Sequence, residues 1–220
     1  MTQHLVVDAE SFAAAAHVSR ETMERLKTYE ALLRKWQASI NLVAPSTLPD
    51  LWNRHFWDSA QLVHLVPDAT RWLDLGSGAG FPGLVVAILL ADRPGFSMRL
   101  VESDQRKSIF LREVIRATGA PVSVHTVRIE EFSWPEGEPL PDIISARALA
   151  GLPKLLGWAS SFWGKATIGL FLKGQGASAE LTESAKDWIF ESEAIASQSD
   201  PSGTVLKLWG LRHANPGLER

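Results

Sequence analysis

No cysteine occurs anywhere in the 220 residues. Disulfides, zinc–thiolate sites and any catalytic thiol are therefore excluded, and a reducing cytoplasm is the expected setting. Tyrosine is almost as scarce. Tyr29 stands alone, so the Tyr-x-x-x-Lys pair of common short-chain oxidoreductases is missing. No apolar run approaches the roughly 20 residues of a membrane span. Met1 to Arg20 also lacks the basic-then-apolar order of a secretory signal, so no membrane association is expected. Neither sign of charge dominates: the net charge is −3, and any nucleic-acid contact must come from a local basic face. Internal repeats, low-complexity tracts and long linkers are absent as well, and no metal is expected.

What is present is apolar material and one glycine-rich turn. Hydrophobic residues make up 45% of the chain, enough for one sizeable domain plus an appendage. The organising stretch is Asp74-Leu-Gly76-Ser-Gly78-Ala-Gly80-Phe81-Pro-Gly83. Trp72, Leu73 and Leu75 read as a buried strand before it, and Leu84 to Leu90 as a helix after it. Such a turn aims backbone N–H groups and a positive helix terminus at a ligand. Gly78-x-Gly80-x-x-Gly83 fits the dinucleotide pattern. Yet Asp74 would repel a pyrophosphate and hold an ammonium, and Glu102, at the end of the next strand, is placed for a ribose. A nucleoside with an ammonium and no phosphate is S-adenosylmethionine, with Gly76, Gly78 and Gly80 as its cradle.

The remainder divides at residue 68. Arg20 to Trp36 carries apolar residues at Met23, Leu26, Tyr29, Leu33 and Trp36, which is helical spacing. Thr47-Leu-Pro-Asp50 resembles a capping box opening a second helix to Leu65. Residues 1–68 are thus expected to form a small helical extension and residues 69–220 the main domain. There, strands are expected at 71–74, 98–102, 122–126, 143–146 and 166–173, and helices at 81–91, 104–118, 152–162 and 178–188. The alternation implies a parallel sheet with helices on both faces. Strands at 189–197 and 204–212 flank Asp200-Pro-Ser-Gly203 and form a terminal antiparallel hairpin. The fold expected is α/β, Rossmann-like, with seven strands.

Trp36-Gln-Ala-Ser-Ile-Asn41-Leu42, Arg54-His55-Phe-Trp-Asp58-Ser59, the 74–83 turn, Ser145-Ala-Arg147-Ala148 and Leu172-Lys173-Gly174 follow in this order. The set resembles the bacterial 16S ribosomal RNA guanine-N7 methyltransferases, also called the glucose-inhibited division protein B family. The resemblance implies a class I methyltransferase fold, S-adenosylmethionine as donor, and a guanine of the small ribosomal subunit as acceptor. It also implies cofactor contacts at Gly76, Phe81, Ile129, Glu130 and Arg147. Ala146 is a departure, an insertion between Ser145 and Arg147.

Guanine N7 bears a lone pair and no proton, so its methylation needs alignment and a suitable field, and no general base. Arg147 and Lys173, beyond the fourth and fifth strands, are expected at the reacting centre. His55 and Asp58 share a helix face. With Arg54 and Asn41 they are expected to meet RNA. Arg106, Lys107, Arg112 and Arg128 are expected on phosphates, with Arg93, Arg99 and Arg116 as further candidates. Trp134 and Trp163 are candidates for base stacking. A monomer is expected. Three other readings stay open: a small-molecule methyltransferase without a basic rim, an NAD-dependent oxidoreductase, and a nucleotide-binding scaffold that transfers nothing.

Overall fold

The computed structural model describes residues 6–215; residues 1–5, which belong to the stretch examined for a secretory signal, and residues 216–220 lie outside them. Helices α1 (Ala9–Ala16) and α2 (Arg20–Gln37) come first. Ser19 caps α2 by accepting from the Thr22 N–H at 3.1 Å, and the expected stripe of Met23, Leu26, Tyr29 and Leu33 is buried.

The second helix differs from expectation. Pro45 and Pro49 lie within the opening stretch 45–50, which forms a tight 3₁₀ coil; no capping box forms at Thr47. Residues 52–57 then take the wider π geometry, and only Asp58–Leu65 is regular helix, α3. Val63 is half-buried and packs against the core.

Six further elements build the first half of the sheet: β1 (Arg71–Leu75), α4 (Gly83–Leu89), β2 (Ser97–Val101), α5 (Gln105–Thr118), β3 (Val122–His125) and β4 (Ile143–Arg147). The second half comprises α6 (Leu152–Ala159), β5 (Ile168–Lys173), α7 (Ala177–Ser184), β6 (Trp188–Ala196) and β7 (Thr204–His213). Strand order is β3-β2-β1-β4-β5-β7-β6; the first five strands are parallel, and β7 runs antiparallel between β5 and β6. Trp188, expected to end a helix, instead opens β6.

The sheet separates two cores. Trp72 of β1 packs with α1 to α5, whereas Leu73 and Leu75 pack with Leu152, Leu155 and Leu156 of α6. This is the two-residue alternation of a strand, and every strand of the central pair is covered on both faces. The side facing α4 is continuous with the buried faces of α2 and α3, where Tyr29 stacks on Phe81 and its hydroxyl donates to the Ala79 carbonyl at 2.5 Å. Thus the N-terminal helices lean directly on the glycine-rich turn. Among the described residues no helix is long and apolar enough to cross a membrane.

Candidate active site

Two cavities open at the carboxyl ends of the parallel strands, where open α/β sheets bind ligands. The first, about 490 Å³, is lined by Gly76, Gly78 and Phe81 of the turn, by Glu102, and by Ile129 and Glu130 after β3. The second, about 700 Å³, is lined by Thr47, Arg54, His55, Asp58, Lys173 and the β6–β7 turn. Leu42, Arg147, Ala148 and Leu149 line both, so they form the partition between them.

Gly78 has φ +55°, and a Cβ built there would find only the Gly76 carbonyl oxygen, 3.8 Å away. Its neighbour Gly80 is different. A Cβ there would fall 2.6 Å from Leu84 Cδ1 and 2.7 Å from the Tyr29 hydroxyl, so this glycine serves packing and does not line the cavity. Glu102 lies at the floor. Its Oε2 accepts from the Gly78 N–H at 2.7 Å and its Oε1 from the Asp104 N–H at 2.8 Å. The carboxylate thereby fixes the turn, and each oxygen retains acceptor capacity toward the cavity. Glu130 accepts from Trp158 Nε1 at 2.9 Å, and Lys154 Nζ sits 4.8 Å from the centre of that indole. Lys107 and Arg128 line the same cavity.

Asp74 corrects an expectation. Two residues on from Trp72, Asp74 shares its face of β1 and points beneath α4. It is fully buried and does not line either cavity. Its Oδ1 accepts from the Ser145 hydroxyl at 2.7 Å, while Oδ2 lies against Gly83 with no hydrogen-bond partner. Burial pushes its pKa up from 3.8 to about 6, against the hydrogen bond from Ser145. Because the folded value is raised, the ionised carboxylate is a folding cost. That cost is absent below pH ~4, grows between pH ~4 and ~6, and stays constant above, reaching about 3 kcal/mol. The Asp74→Asn variant, which resembles the protonated acid, is expected to gain stability relative to the parent by about that amount between pH 4 and pH 7.5. Urea midpoints of both proteins at the two pH values decide this; a pH-independent difference would show that folding does not shift the Asp74 pKa. S-adenosylmethionine affinity, measured alongside, should change little.

Arg147 is the centre of the partition. Its Nη2 donates to His55 Nδ1 at 2.7 Å, and its Nη1 donates to the Arg54 carbonyl at 3.0 Å and to Asp58 Oδ2 at 3.4 Å. The guanidinium carbon lies 5.1 Å from the Phe81 ring centre. Arginine cannot accept, so His55 Nδ1 is unprotonated and Nε2 carries the proton. Nε2 then donates to Thr47 Oγ1 at 2.8 Å, and the Thr47 hydroxyl donates to the Ala44 carbonyl at 2.7 Å. Burial first, then the charges of Arg147 and Arg54, lower the His55 pKa from 6.5 to about 3, keeping it neutral. Arg147 is thus set between His55 and Asp58, bonded to both. The widened turn at 52–57 lies immediately before Asp58, whose backbone N–H donates to the Asn53 and His55 carbonyls.

Several other expectations are revised. Lys173 reaches the second cavity, but its ammonium is engaged: it donates to the Ala150 carbonyl at 2.7 Å and to Glu180 Oε2 at 2.8 Å. Glu180 also accepts from the Leu152 N–H at 2.5 Å. The three together clamp the turn in which Ala148 has φ +51° and Leu149 covers Gly76. Asn41 lines neither cavity. It accepts from Gln37 Nε2 at 3.3 Å, and Gln37 in turn shapes the bend that presents Leu42. Arg106 is exposed and donates to the Ser39 carbonyl at 2.7 Å; Arg112 is bound back to β3 through Thr126 Oγ1 at 2.7 Å. The four expected phosphate contacts therefore do not share a face: Lys107 and Arg128 line the first cavity, Arg106 leans to the α2 end, and Arg112 is tied to the sheet edge. Arg54 pairs with Asp200 at 2.6 Å. Arg93 donates to the Ala69 carbonyl at 2.9 Å, and Arg99 covers the ring of Trp134 at 4.3 Å. Trp134 and Trp163 are half-buried with interior indole nitrogens, so neither presents a free face for a base.

Sequence reasoning missed Leu149 and Glu180, and also Ser197 and Ser199 of the β6–β7 turn. Leu149 follows the Arg147 motif and was within reach. Nothing in the sequence marks Glu180 or the serines.

Known proteins give independent findings. The family model described as rRNA small subunit methyltransferase G matches residues 22–202. A protein of that name from Parvibaculum lavamentivorans is 63% identical over 218 residues, covering 96% of each chain. One from Rhodospirillum centenum is 54% identical over 201 residues, covering 91% of this chain and 89% of its own. Among solved structures, a putative O-methyltransferase from Klebsiella pneumoniae superposes with a TM-score of 0.54 at 16% identity, over 93% of this chain and 96% of its own. A point mutant of MtNAS in complex with S-adenosylmethionine has a TM-score of 0.54 at 16% identity, over 92% of this chain and 84% of that one. These two show the fold of the seven-stranded methyltransferases. Sharing their fold, and matching the family model over most of its length, this chain belongs to the rRNA small subunit methyltransferase G family.

Proposed function

We propose that the chain transfers the methyl group of S-adenosylmethionine to N7 of a guanine in 16S ribosomal RNA. One observation carries the reading: a nucleoside-sized cavity and a larger one share a wall made of Arg147 and the 148–149 turn. The residues of the first cavity suit the cofactor. Gly78 leaves room for close approach of the backbone, Glu102 and Glu130 offer acceptors for hydroxyl and ammonium groups, and Val101, Val127 and Ile129 offer apolar contact for a purine. When bound, S-adenosylmethionine supplies a methyl group on a sulfonium. The chain's own part is alignment: the glycine turn and Glu102 hold one partner, the second cavity holds the base, and Arg147 faces both. No proton need move, which agrees with a histidine held neutral and bonded at both nitrogens.

Residues 1–68 would act as the wall of both cavities, through Leu42 and the 54–58 turn, and residues 69–220 as the cofactor-binding domain. One chain holds both cavities, so a monomer suffices. The partner would be the small ribosomal subunit or its RNA, met in the cytoplasm, with Lys107, Arg128, Lys154 and Arg54 among the cations that line the cavities. The deciding experiment is transfer of labelled methyl from S-adenosylmethionine to unmodified small subunits, followed by mapping of N7-methylguanine. Label on a small molecule, or on another RNA atom, would overturn the reading.

In this scheme Lys173 positions the 148–152 turn through Glu180 and does not touch the base. Lys173→Met and Glu180→Gln should then each lower kcat/KM about tenfold, and the double variant no further than either alone. A large loss for Lys173→Met with none for Glu180→Gln would give the ammonium a direct role on the substrate.

A further inference from the structure

We propose that Asp58 and Arg147 together identify the acceptor base as guanine: Arg147 donates to O6, and the Oδ2 atom of Asp58 accepts from N1–H and the 2-amino group. This rests on the preceding reading, in which the base enters the second cavity with N7 toward the first.

Asp58 lines the second cavity only, whereas Arg147 lines both. The two oxygens of Asp58 are unequal. Oδ1 accepts from the Ser199 hydroxyl at 2.6 Å, from Gln61 Nε2 at 3.0 Å and from the Ser197 hydroxyl at 3.4 Å. Oδ2 has one partner among the described residues, Arg147 Nη1 at 3.4 Å. That is long for a charge-assisted bond, which ordinarily spans about 2.7–2.9 Å. Oδ2 therefore keeps acceptor capacity. Arg147 uses both Nη1 hydrogens and one on Nη2, leaving Nε–H and the other Nη2 hydrogen. A donor and an acceptor thus stand side by side at the cavity wall, with side chains 18% and 16% exposed.

The edge of guanine matches that order. Going round the base from N7, the next groups are O6, N1–H and the 2-amino group. With N7 at the partition, O6 faces the arginine that lines both cavities. The two donors then face the carboxylate that lines only the second. Adenine in the same pose would set its 6-amino group against the guanidinium and its N1 lone pair against the carboxylate. Both contacts would be repulsive, which is the usual source of strong discrimination. The scheme also leaves N7 bare. The bidentate O6/N7 grip that arginine makes in DNA grooves would block the reacting atom. Reading a base by its Watson–Crick edge is the solution open to enzymes that draw a base into a pocket. The serines of the β6–β7 turn hold Oδ1, so Oδ2 is presented in a fixed direction.

The test uses small subunits reconstituted with 16S RNA bearing either guanine or inosine at the mapped acceptor position. Inosine lacks only the 2-amino group and keeps N7, O6 and N1–H. The wild-type enzyme should show about a tenfold lower kcat/KM on inosine. Asp58→Asn should lower kcat/KM on guanine at least about tenfold and bring the guanine-to-inosine ratio to near one. S-adenosylmethionine affinity by calorimetry should be unchanged in that variant. Equilibrium binding of subunits carrying 7-deazaguanine, which cannot react, should weaken in parallel. Equal rates of the wild-type enzyme on guanine and inosine would overturn the proposal, and this comparison needs no variant to fold. So would an Asp58→Asn enzyme that keeps the full ratio. Failure of the parent reading looks different: the wild-type enzyme would form no N7-methylguanine on unsubstituted subunits.

Discussion

Arg147→Ala is expected to lower kcat/KM about 10²- to 10³-fold, the usual loss when a fixed donor at a reacting centre is removed. The geometry explains why the effect should be large. The guanidinium is held by a histidine nitrogen, a backbone carbonyl and a carboxylate, and lies over Phe81. Its remaining hydrogens are therefore aimed before the substrate arrives. Removing it merges the two cavities and leaves Asp58 Oδ2 without its cation. Lysine should restore little, because one ammonium cannot reach His55, the Arg54 carbonyl and the base from a single point. Single-turnover transfer on unmodified small subunits measures the loss, and circular dichroism checks the fold. A rate within threefold of the parent would remove Arg147 from the reacting centre.

Gly78→Val should lower S-adenosylmethionine affinity by at least about 100-fold, or 2.7 kcal/mol. Two effects act together. The position has φ +55°, where a β-branched residue is strained. A Cβ there meets only the Gly76 carbonyl oxygen, at 3.8 Å, so the branch it carries projects into space that the ligand would use. The strain costs only about 1–2 kcal/mol, well within the 5–15 kcal/mol of ordinary domain stability, so the variant should fold. Calorimetry on the folded variant is the check. The contrast is Gly80→Val, where the side chain would strike Leu84 and Tyr29 and the loss should be of stability. Normal cofactor affinity in a folded Gly78→Val protein would place the ligand elsewhere.

The sheet and the glycine-rich turn that lines the first cavity were legible because they follow from period and punctuation. Buried strands read as apolar runs, and the turn at Asp200–Gly203 separates two strands. Asp74 shows the limit. Alternation from Trp72 turns its side chain beneath α4, away from both cavities, although its place near the strand end suggested a ligand contact. His55 and Asp58 were found together by their spacing, but the group between them lies about 90 positions away, at 92 and 89 residues. Glu180 was invisible because its role is set by what Lys173 and Leu152 need nearby, and no spacing rule links those three.

The β6–β7 turn carries a consequence for biosynthesis. Ser199 reaches Asp58 across 141 residues, and Asn53 and Gln61 are tied to the same turn. A chain growing from its N-terminus has every residue of the first cavity once Trp158 has emerged, whereas the second cavity needs residues up to Val205. The second cavity is thus the last of the two to be completed. An incomplete nascent chain can possess every residue of the first cavity while the closing wall of the second is still unmade. Truncation ahead of β6 should accordingly leave a protein whose chemistry has no address.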